Sequence, residues 1–501
     1  MDTTIVRAAI HPAIGIARVG DSNDEYFLGP EVVGAQPVPS GAYKDATGAL
    51  KRQAARFRIY GYNAAGELVR ELTDADSEIT WTVHVANAKA AWYQFQIALD
   101  IPEAADATPS ALRNATITGD ARAALVIDPG PRTIVGTDTS GPAYAFDTGE
   151  FMGTPVYLGE LRTDEAGRLL VLGGRGVSAS YDGSPATTFA NNDKWHDDVS
   201  DGPVTADVVV GGRRVPVDPA WVVTAPPNYA PDVIGVRTMY DLILDAFVSA
   251  DRLPFPEQVS FTEHIEPILA RLCNLQWVNQ GFAASYGWGG REEFFDPAYL
   301  ARLSSTAERD EEVRRQVFIA FRVWSRDASS PIPWPWLYGD AMSIPPISPR
   351  QLVMLANTQY RLLALWADGT FVPPDGSAPR PRSLDDVPVP DQPATLDRTA
   401  LTYCLADAFH PGCEITWPMR HLTMYQAPFR ILHRRPDDPE PPYPAVLTPA
   451  VALAPGGPLA GQTPGSLTRW MAVPWQTDSA SCRSGYEARS DPRYDPYLPT
   501  F

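Results

Sequence analysis

The chain of 501 residues is long enough for two or three domains with sizeable cores, and its apolar share of 44% is ordinary for a globular protein. A formal net charge of −19, with no block of lysine and arginine, argues against a nucleic-acid partner, because an acidic surface repels phosphate. The 50 prolines favour short elements joined by ordered loops over a helical bundle.

Signal peptides, membrane spans and disulfides are not expected either. The N-terminus lacks a basic region followed by an apolar run, so we favour a cytoplasmic location, with export without a recognisable signal as the alternative. The most apolar long stretch, residues 443–459, is interrupted by prolines and glycines and is no membrane span. The four cysteines are too few for a disulfide framework and form no CxxC pair.

The first 230 residues predict a β-rich region. Apolar residues alternate with polar or small ones over residues 79–85, as in a half-buried strand. The runs 156–161 and 168–172 flank an Asp-to-Gly turn and predict a hairpin. A second hairpin is predicted around Gly211-Gly212, where the turn signal is stronger.

Helical periodicity begins after about residue 230. We expect Asp232 to cap one helix, a second helix over residues 313–324, a third that opens at Ser348 and stops at Gly369, and a short one capped by Asp397. Proline-rich stretches separate these elements. The predicted class is α+β, with a β-dominated N-terminal region (1–230) and a mixed, loop-rich and partly helical C-terminal region (231–501).

Two segments of the N-terminal region hold unusual combinations of residues. Residues 10–20, IHPAIGIARVG, predict a buried strand and turn whose histidine and arginine most often have structural partners. Residues 189–203, FANNDKWHDDVSDGP, are rich in Asn, Asp and Gly and predict a turn-rich loop. Its four acids beside one Trp and one His suit an ammonium group or a cation, and a solvated loop fits them equally well. The spacing is not that of an EF-hand.

Two later segments contain cysteine. Residues 404–417, CLADAFHPGCEITW, place two thiols, one imidazole and two carboxylates close together. A metal site from His410, His421 and either Cys404 or Cys413 is one interpretation, but the spacing fits no common zinc pattern, and buried structural cysteines with one functional histidine fit better.

The last segment, residues 467–482, reads LTRWMAVPWQTDSASC. If it is helical, Asp478 and Cys482 share a face, because they lie four residues apart. A carboxylate beside a thiol disfavours the thiolate, which argues against a papain-like nucleophile. A capped turn that carries a buried cysteine is the alternative interpretation.

Together these four segments resemble the LodA-like family of cysteine tryptophylquinone amino-acid oxidases, which includes lysine ε-oxidases and glycine oxidases. IHPAIGIARVG, NNDKWHDDVSDGPV, FHPGCEITW and WMAVPWQTDSASC look like the family's hallmarks, stand in the same order and extend from residue 10 to residue 482. The resemblance implies a cofactor made from the chain itself, in which a cysteine and a tryptophan are joined by a thioether and the tryptophan is oxidised to an ortho-quinone.

The resemblance places the cross-linked cysteine at Cys482 and the aspartate needed for cofactor formation at Asp478. In the family the partner tryptophan follows the cysteine, and no tryptophan follows Cys482 in this sequence. We expect the partner just after Phe501, because a similar LPTF run in relatives leads into tryptophan. Trp475, together with Trp470, is the fallback candidate.

The implied reaction is oxidative deamination of a primary amine or amino acid. The amine forms a Schiff base on the quinone, a base removes a proton, and hydrolysis releases an aldehyde or 2-oxo acid; dioxygen then restores the quinone, giving hydrogen peroxide and ammonia. Asp478 is the first candidate for the base and His410 the next. Trp195, His196 and Asp197 are predicted to shape the amine pocket, and no metal is expected.

Relatives depend on a separate flavoprotein that installs the quinone, and many form homo-oligomers, so we expect both here. Lysine, glycine, another amino acid and a peptide-borne amine all fit as substrates. The main alternative is a non-catalytic LodA-like scaffold or binding protein, or an unmodified precursor, which the missing downstream tryptophan favours. A metalloenzyme built on His410 and His421 is the second alternative.

Overall fold

The computed structural model describes residues 2–34, 43–93, 95, 99–101, 110–228, 230–231, 233–277, 280–321, 354–376, 380–404, 415–435 and 437–484. Its N-terminal half is built on one large sheet, and its C-terminal half is loop-rich and carries the α-helices. The predicted α+β class, with a β-dominated first half, is confirmed. Within the described ranges, no helix combines the length and apolar character that crossing a membrane requires.

The strands are short, with two exceptions of eleven residues each. In chain order they are β1 (Arg7–His11), β2 (Ile14–Arg18), β3 (Tyr26–Leu28), β4 (Arg52–Tyr62), β5 (Leu68–Leu72), β6 (Glu78–Val83), β7 (Ser110–Ala111), β8 (Arg132–Val135), β9 (Gly149–Phe151), β10 (Thr154–Val156), β11 (Glu160–Thr163), β12 (Leu169–Leu172), β13 (Ser178–Ser180), β14 (Trp195–Asp197), β15 (Ser200–Val210), β16 (Arg213–Val215), β17 (Val217–Asp218), β18 (Ala220–Ala225), β19 (Tyr425–Ala427), β20 (Arg430–Ile431) and β21 (Val446–Leu447).

The main sheet runs in the order β11-β12-β4-β2-β18-β15-β6-β8. Five further strands pair off this path: β1, β3 and β5 with β4, β16 with β15, and β17 with β1. Strands β2 and β18 pair in parallel, with Ile14 opposite Trp221, and both are buried along their whole length. A strand that is buried at every position is expected where both faces of a sheet are covered. This central pair places the N-terminal segment, residues 10–20, beside β18. Strand β18 in turn pairs with β15, which begins within residues 189–203.

Both predicted hairpins form, as β11–β12 and β15–β16. Gly211 and Gly212 both have positive φ, which is the conformation that a tight two-residue hairpin turn demands. The first hairpin begins later than predicted, at Glu160, because the residues before it, Thr154–Val156, pair with β9 instead. The strand predicted over residues 79–85 is β6, which carries the alternating burial that its sequence predicts.

The α-helices fall in the second half of the chain. They are α1 (Met239–Ser249), α2 (Glu266–Asn274), α3 (Gln280–Tyr286), α4 (Pro297–Leu303), α5 (Glu311–Ala320), α6 (Asn357–Ala367), α7 (Gln392–Thr402), α8 (Thr416–Met419), α9 (Pro449–Ala452) and α10 (Trp475–Ser484). They pack in two groups, one against the sheet through residues such as Ile243 and Met419, and one around its own core of residues such as Leu269 and Trp366.

Three predicted helix starts are wrong. The first helix begins at Met239 rather than near Asp232, because Thr238 and Asp241 form a reciprocal capping box there. Asp397 caps nothing: it lies inside α7, which starts earlier because Pro393 suits the first helical turn. The helix predicted to open at Ser348 begins only at Asn357, because residues 354–356 are not helical. Its predicted stop at Gly369 is confirmed by a φ of 82°, while Ser348 and Trp324 themselves lie outside the described residues.

Candidate active site

The four segments singled out by sequence converge on the last described helix, α10, and on the residues that lead into it. Val19 of the first segment packs with Val199 of the second and with Trp475 of the fourth. Asn191 lies beside Val473 in a parallel bridge. Trp417 of the third segment meets Trp470 edge-on, with 5.0 Å between ring centroids.

The carboxylate of Asp197 holds the start of α10. Its Oδ2 accepts a hydrogen bond from the backbone N–H of Trp475 at 3.0 Å and one from Lys89 Nζ at 2.8 Å. Its Oδ1 accepts from Asn87 Nδ2 at 3.0 Å. Because the first N–H groups of a helix have no partner within it, an acidic acceptor at this point satisfies a donor and complements the helix dipole.

Lys89 completes this arrangement on the other side. Both members of the Lys89–Asp197 ion pair are 0% exposed, and Lys89 Nζ also donates to the carbonyl of Ala472 at 2.8 Å. A buried charge without a partner is strongly destabilising, so each member requires the other. The pair therefore ties the residues just before α10 and its first residue to β14 and to the chain that follows β6.

Further hydrogen bonds fix the same turn of chain. Asn192 Nδ2 donates to the carbonyl of Val473 at 3.1 Å, and Val473 N donates to Ala190 O at 2.8 Å. Gln476 Nε2 donates to Gly176 O at 2.9 Å, and Thr477 Oγ1 donates to the carbonyl of Phe189 at 2.8 Å. The start of α10 is thus held by the acidic segment, residues 189–203, and by the loop at Gly176.

Asp201 holds the chain some seven residues before α10, at Leu467 and Thr468. Its two oxygens accept hydrogen bonds from Thr468 N at 2.7 Å, Leu467 N at 3.1 Å, Thr468 Oγ1 at 2.6 Å and Trp221 Nε1 at 3.0 Å. Complete burial raises the pKa of this carboxyl to about 6, and the four donors only partly oppose the desolvation.

Asp198 lies between these two anchors and faces a glycine-rich loop. Its Oδ2 accepts from the backbone N–H groups of Arg175 at 2.6 Å and Val177 at 3.0 Å, while its Oδ1 is buried without a hydrogen-bond partner among the described residues. Burial raises its pKa to about 7. A Cβ on Gly174 would stand 2.5 Å from this carboxyl group, which explains the glycine at that position.

Helix α10 brings together the two residues that the resemblance made central. The residues around Asp478 are helical, which meets the condition under which the sequence places Cys482 one turn later on the same face. Asp478 is 5% exposed, so it lies within the protein and not on its surface. The roles of Asp478 and Cys482 remain predictions.

The residues predicted to shape an amine pocket all belong to β14 and are partly or fully buried. The His196 ring packs on Phe151 at 4.9 Å, its Nδ1 has no hydrogen-bond partner among the described residues, and burial lowers its pKa. The Asp197 carboxylate receives hydrogen bonds from Asn87, Lys89 and Trp475. The indole N–H of Trp195 is buried and has no hydrogen-bond partner among the described residues. Their role in a pocket remains a prediction.

Of the residues in the metal alternative, the structure describes only Cys404 and His421. His410 and Cys413 lie outside the described residues, Cys404 is buried in the core, and His421 Nε2 meets Asp100 at 2.9 Å. The described residues contain no group of three or more His, Cys, Asp or Glu side chains placed to hold a metal ion.

The fallback tryptophans fit poorly as partners of Cys482. Trp470 is 1% exposed and wedged edge-on between Trp92 and Trp417. Trp475 begins α10 seven positions before Cys482, about 10 Å along the axis, and helical side chains lean toward the N-terminus, away from the cysteine. The position of the partner tryptophan remains a prediction.

Sequence reasoning missed Lys89 and Asn87, which hold Asp197. The available signal was a lysine inside the small and apolar run ANAKAAWY, because such a cation needs a buried partner. It also missed Arg113, whose guanidinium donates to the carbonyls of Met471 at 2.8 Å and Lys89 at 3.1 Å.

Comparisons with known proteins agree with this arrangement. Residues 11–224 match the family profile described as L-lysine epsilon oxidase N-terminal, and residues 337–498 match the L-lysine epsilon oxidase C-terminal domain. L-lysine 6-oxidase of Marinomonas mediterranea is 28% identical over 553 aligned positions, which cover 95% of this chain and 71% of the relative.

Solved structures of the Marinomonas mediterranea L-Lys epsilon-oxidase share the fold. One crystal structure has a TM-score of 0.70 at 26% identity, and the structure of its Schiff base intermediate with L-Lys has a TM-score of 0.69 at 25% identity. Each covers 95% of this chain and 75% of the solved one. The chain therefore belongs to the L-lysine epsilon-oxidase (LodA) family.

Proposed function

We propose that this chain is an amino-acid oxidase, which converts a primary amine, dioxygen and water into an aldehyde or 2-oxo acid, ammonia and hydrogen peroxide. A cysteine tryptophylquinone built from Cys482 and a tryptophan beyond Phe501 would supply the electrophile that ordinary side chains lack. The observation that carries the proposal is α10, which presents a buried Asp478 one turn before Cys482 at the meeting point of the four family segments.

The chain's own residues have distinct tasks in this proposal. A carboxylate oxygen of Asp478 accepts the proton from the substrate carbon that bears nitrogen, and its burial keeps bulk water away from that step. Asp197 and Asp201 hold the helix and its approach rather than meet the substrate, because donors of the protein already contact their oxygens. His410 stays the second candidate for the base, and Trp195 and His196 stay candidates for the amine pocket.

The substrate class follows from the relatives and from charge. L-lysine is the first amine to test, because the similar enzyme from Marinomonas mediterranea is an L-lysine 6-oxidase, and glycine is the second. A net charge of −19 favours the approach of cationic amines without defining the pocket. We also propose a flavoprotein partner that installs the quinone, and a homo-oligomer.

The test compares the wild type with Cys482→Ala and Asp478→Asn, each co-expressed from its full gene with the flavoprotein. We expect the wild type to show quinone absorbance, a mass gain of about 28 Da from two oxygens added and four hydrogens removed, and peroxide formation with an amino acid. Both variants should lose absorbance and turnover together. Cys273→Ala, which removes a thiol in the separate helical core, is the matched control and should keep both.

Quinone absorbance retained in Cys482→Ala would contradict the cofactor assignment. A wild-type protein that keeps its encoded mass after co-expression, and consumes no oxygen with any amine, would instead support the non-catalytic scaffold.

A further inference from the structure

We propose that the buried Lys89–Asp197 ion pair is a positioning device, which sets the place of α10, and with it Asp478 and Cys482, before the cofactor forms. The meaning of that placement for catalysis rests on the proposed function, whereas the placement itself rests on contacts alone. No atom of the pair needs to touch the substrate, so these are positioning residues and not catalytic ones.

The first argument is the directional character of the contacts. One oxygen of Asp197 receives both the Trp475 N–H that opens α10 and the Lys89 ammonium group, at 3.0 and 2.8 Å. The same ammonium group donates to Ala472 O, three residues before the helix. The pair therefore grips the chain on both sides of the Val473–Pro474 step and leaves the helix little freedom to slide or rotate.

The second argument is that the pair is itself held rigidly from outside α10. Asn87 Nδ2 bridges the Asp197 carboxylate, the Asp197 carbonyl and the carbonyl of Val199, all within 3.0 Å. Arg113 joins the carbonyl of Lys89 to that of Met471. Asn87, Lys89 and Arg113 all lie outside α10, in the chain between β6 and β8, so the helix is positioned by a frame that exists without the cofactor.

The third argument is that stability alone does not require an ion pair at this place. A buried ion pair is often no more stabilising than apolar residues of similar size, because desolvation offsets its attraction. Directional contacts at a helix start provide something that apolar packing cannot, namely a fixed register for the residues one and two turns later. This separates the proposal from ordinary core stability and makes it testable.

The experiment uses the full chain made without the flavoprotein and measures amide hydrogen exchange. Asp197→Asn should speed exchange in residues 475–484 roughly tenfold, as for the loss of a strong helix cap. The matched control is Glu160→Gln, which removes the charge of the part-buried Arg52–Glu160 pair, 3.1 Å apart and away from α10. Even where this variant loses as much global stability as Asp197→Asn, its exchange in α10 should stay unchanged.

A double variant separates positioning from charge burial. Lys89→Met with Asp197→Leu removes both charges and leaves none unpaired, so global stability should recover relative to Asp197→Asn. If the pair positions α10, exchange in residues 475–484 stays fast in the double variant. On co-expression with the flavoprotein, the fraction of chains that gain the thioether, read by mass, should fall roughly tenfold in both variants and not in Glu160→Gln.

Two results would overturn the inference: exchange of α10 that returns to the wild-type rate in the double variant, or failure of both Asp197 variants to fold while Glu160→Gln folds. Either assigns the pair to stability alone. The proposed function fails separately, when wild-type protein matures no quinone although its α10 is protected as expected.

Discussion

Three aspartates within five residues, Asp197, Asp198 and Asp201, show how strongly the surroundings decide what a carboxyl group does. Asp197 is paired with an ammonium group, Asp201 receives four hydrogen bonds, and Asp198 receives two on one oxygen and none on the other among the described residues. Burial raises the pKa of Asp201 to about 6 and that of Asp198 to about 7. Such groups bind protons at pH values where an exposed aspartate does not.

The raised pKa of Asp198 predicts a specific dependence of stability on pH. Because its folded pKa is about 7 and its ordinary value 3.8, its contribution is full below pH 3.8 and is lost as pH rises through 7. Asp198→Asn keeps an acceptor for Arg175 and Val177 but cannot ionise. Its unfolding free energy should therefore fall less than that of the wild type between pH 4 and 7, by about 1.4 kcal/mol for each pKa unit involved.

Urea unfolding at pH 4, 5.5 and 7 measures this difference. The exposed Glu165→Gln serves as the control and should follow the wild-type curve. Parallel curves for Asp198→Asn and the wild type would mean that Asp198 is ionised in the folded protein across this range.

At the scale of elements, the short helix α10 depends on its docking more than on its own propensity. Its sequence, WQTDSASCRS, is rich in residues that compete with helix formation, and a helix of this length is marginal in isolation. Its start is secured by the acidic segment instead. Single contacts at that start should therefore have large effects on the whole element.

Asn192→Ala tests this dependence. The buried Asn192 side chain accepts from Thr187 N and Thr188 N at 2.8 and 2.9 Å and donates to Val473 O. Its loss leaves buried groups unsatisfied, and we expect about 2 to 3 kcal/mol of lost unfolding free energy. Asn23→Ala, at an exposed site, should cost less than about 0.5 kcal/mol. Equal losses for the two variants in denaturant unfolding would show that α10 does not need the contact.

At the scale of the whole molecule, a second set of polar links, away from α10, joins the two halves. His11 of β1 places Nδ1 3.0 Å from Asp397 of α7 and Nε2 2.9 Å from Arg430 of β20. The Arg430 guanidinium can only donate, so His11 Nε2 accepts its hydrogen bond and His11 Nδ1–H donates one to the Asp397 carboxylate. Asp397 also accepts from Ala13 N at 2.6 Å, next to the central strand β2.

Asp397→Ala should therefore weaken both halves together. We expect a loss of about 2 to 3 kcal/mol, since His11 and the Ala13 N–H lose a buried acceptor, with unfolding still in one calorimetric transition. Asp391→Asn, which alters an exposed residue at the start of the same helix, is the control. A separate, earlier transition of the C-terminal half in Asp397→Ala would show that the halves fold independently.

Local patterns predicted much of this molecule because the interactions behind them are local. Alternation at Ile79, Trp81 and Val83 predicted β6, and Gly211-Gly212 predicted the second hairpin. The shared face of Asp478 and Cys482 was predicted only on the condition that their segment is helical, which it is. The predicted helix starts were wrong where two residues a few positions apart could each begin the helix. Pro393 opened α7 before Asp397, and only packing decides between such signals.

By itself the sequence determined the fold class, the order of the four family segments and the pair of residues one turn apart on α10. Only the tertiary structure decided which charges meet. Lys89 and Asp197 are 108 positions apart, and Asp397 lies 386 positions from the histidine that it holds. No short-range pattern encodes such pairs, because they arise from where strands and helices pack, and burial then makes each partner indispensable.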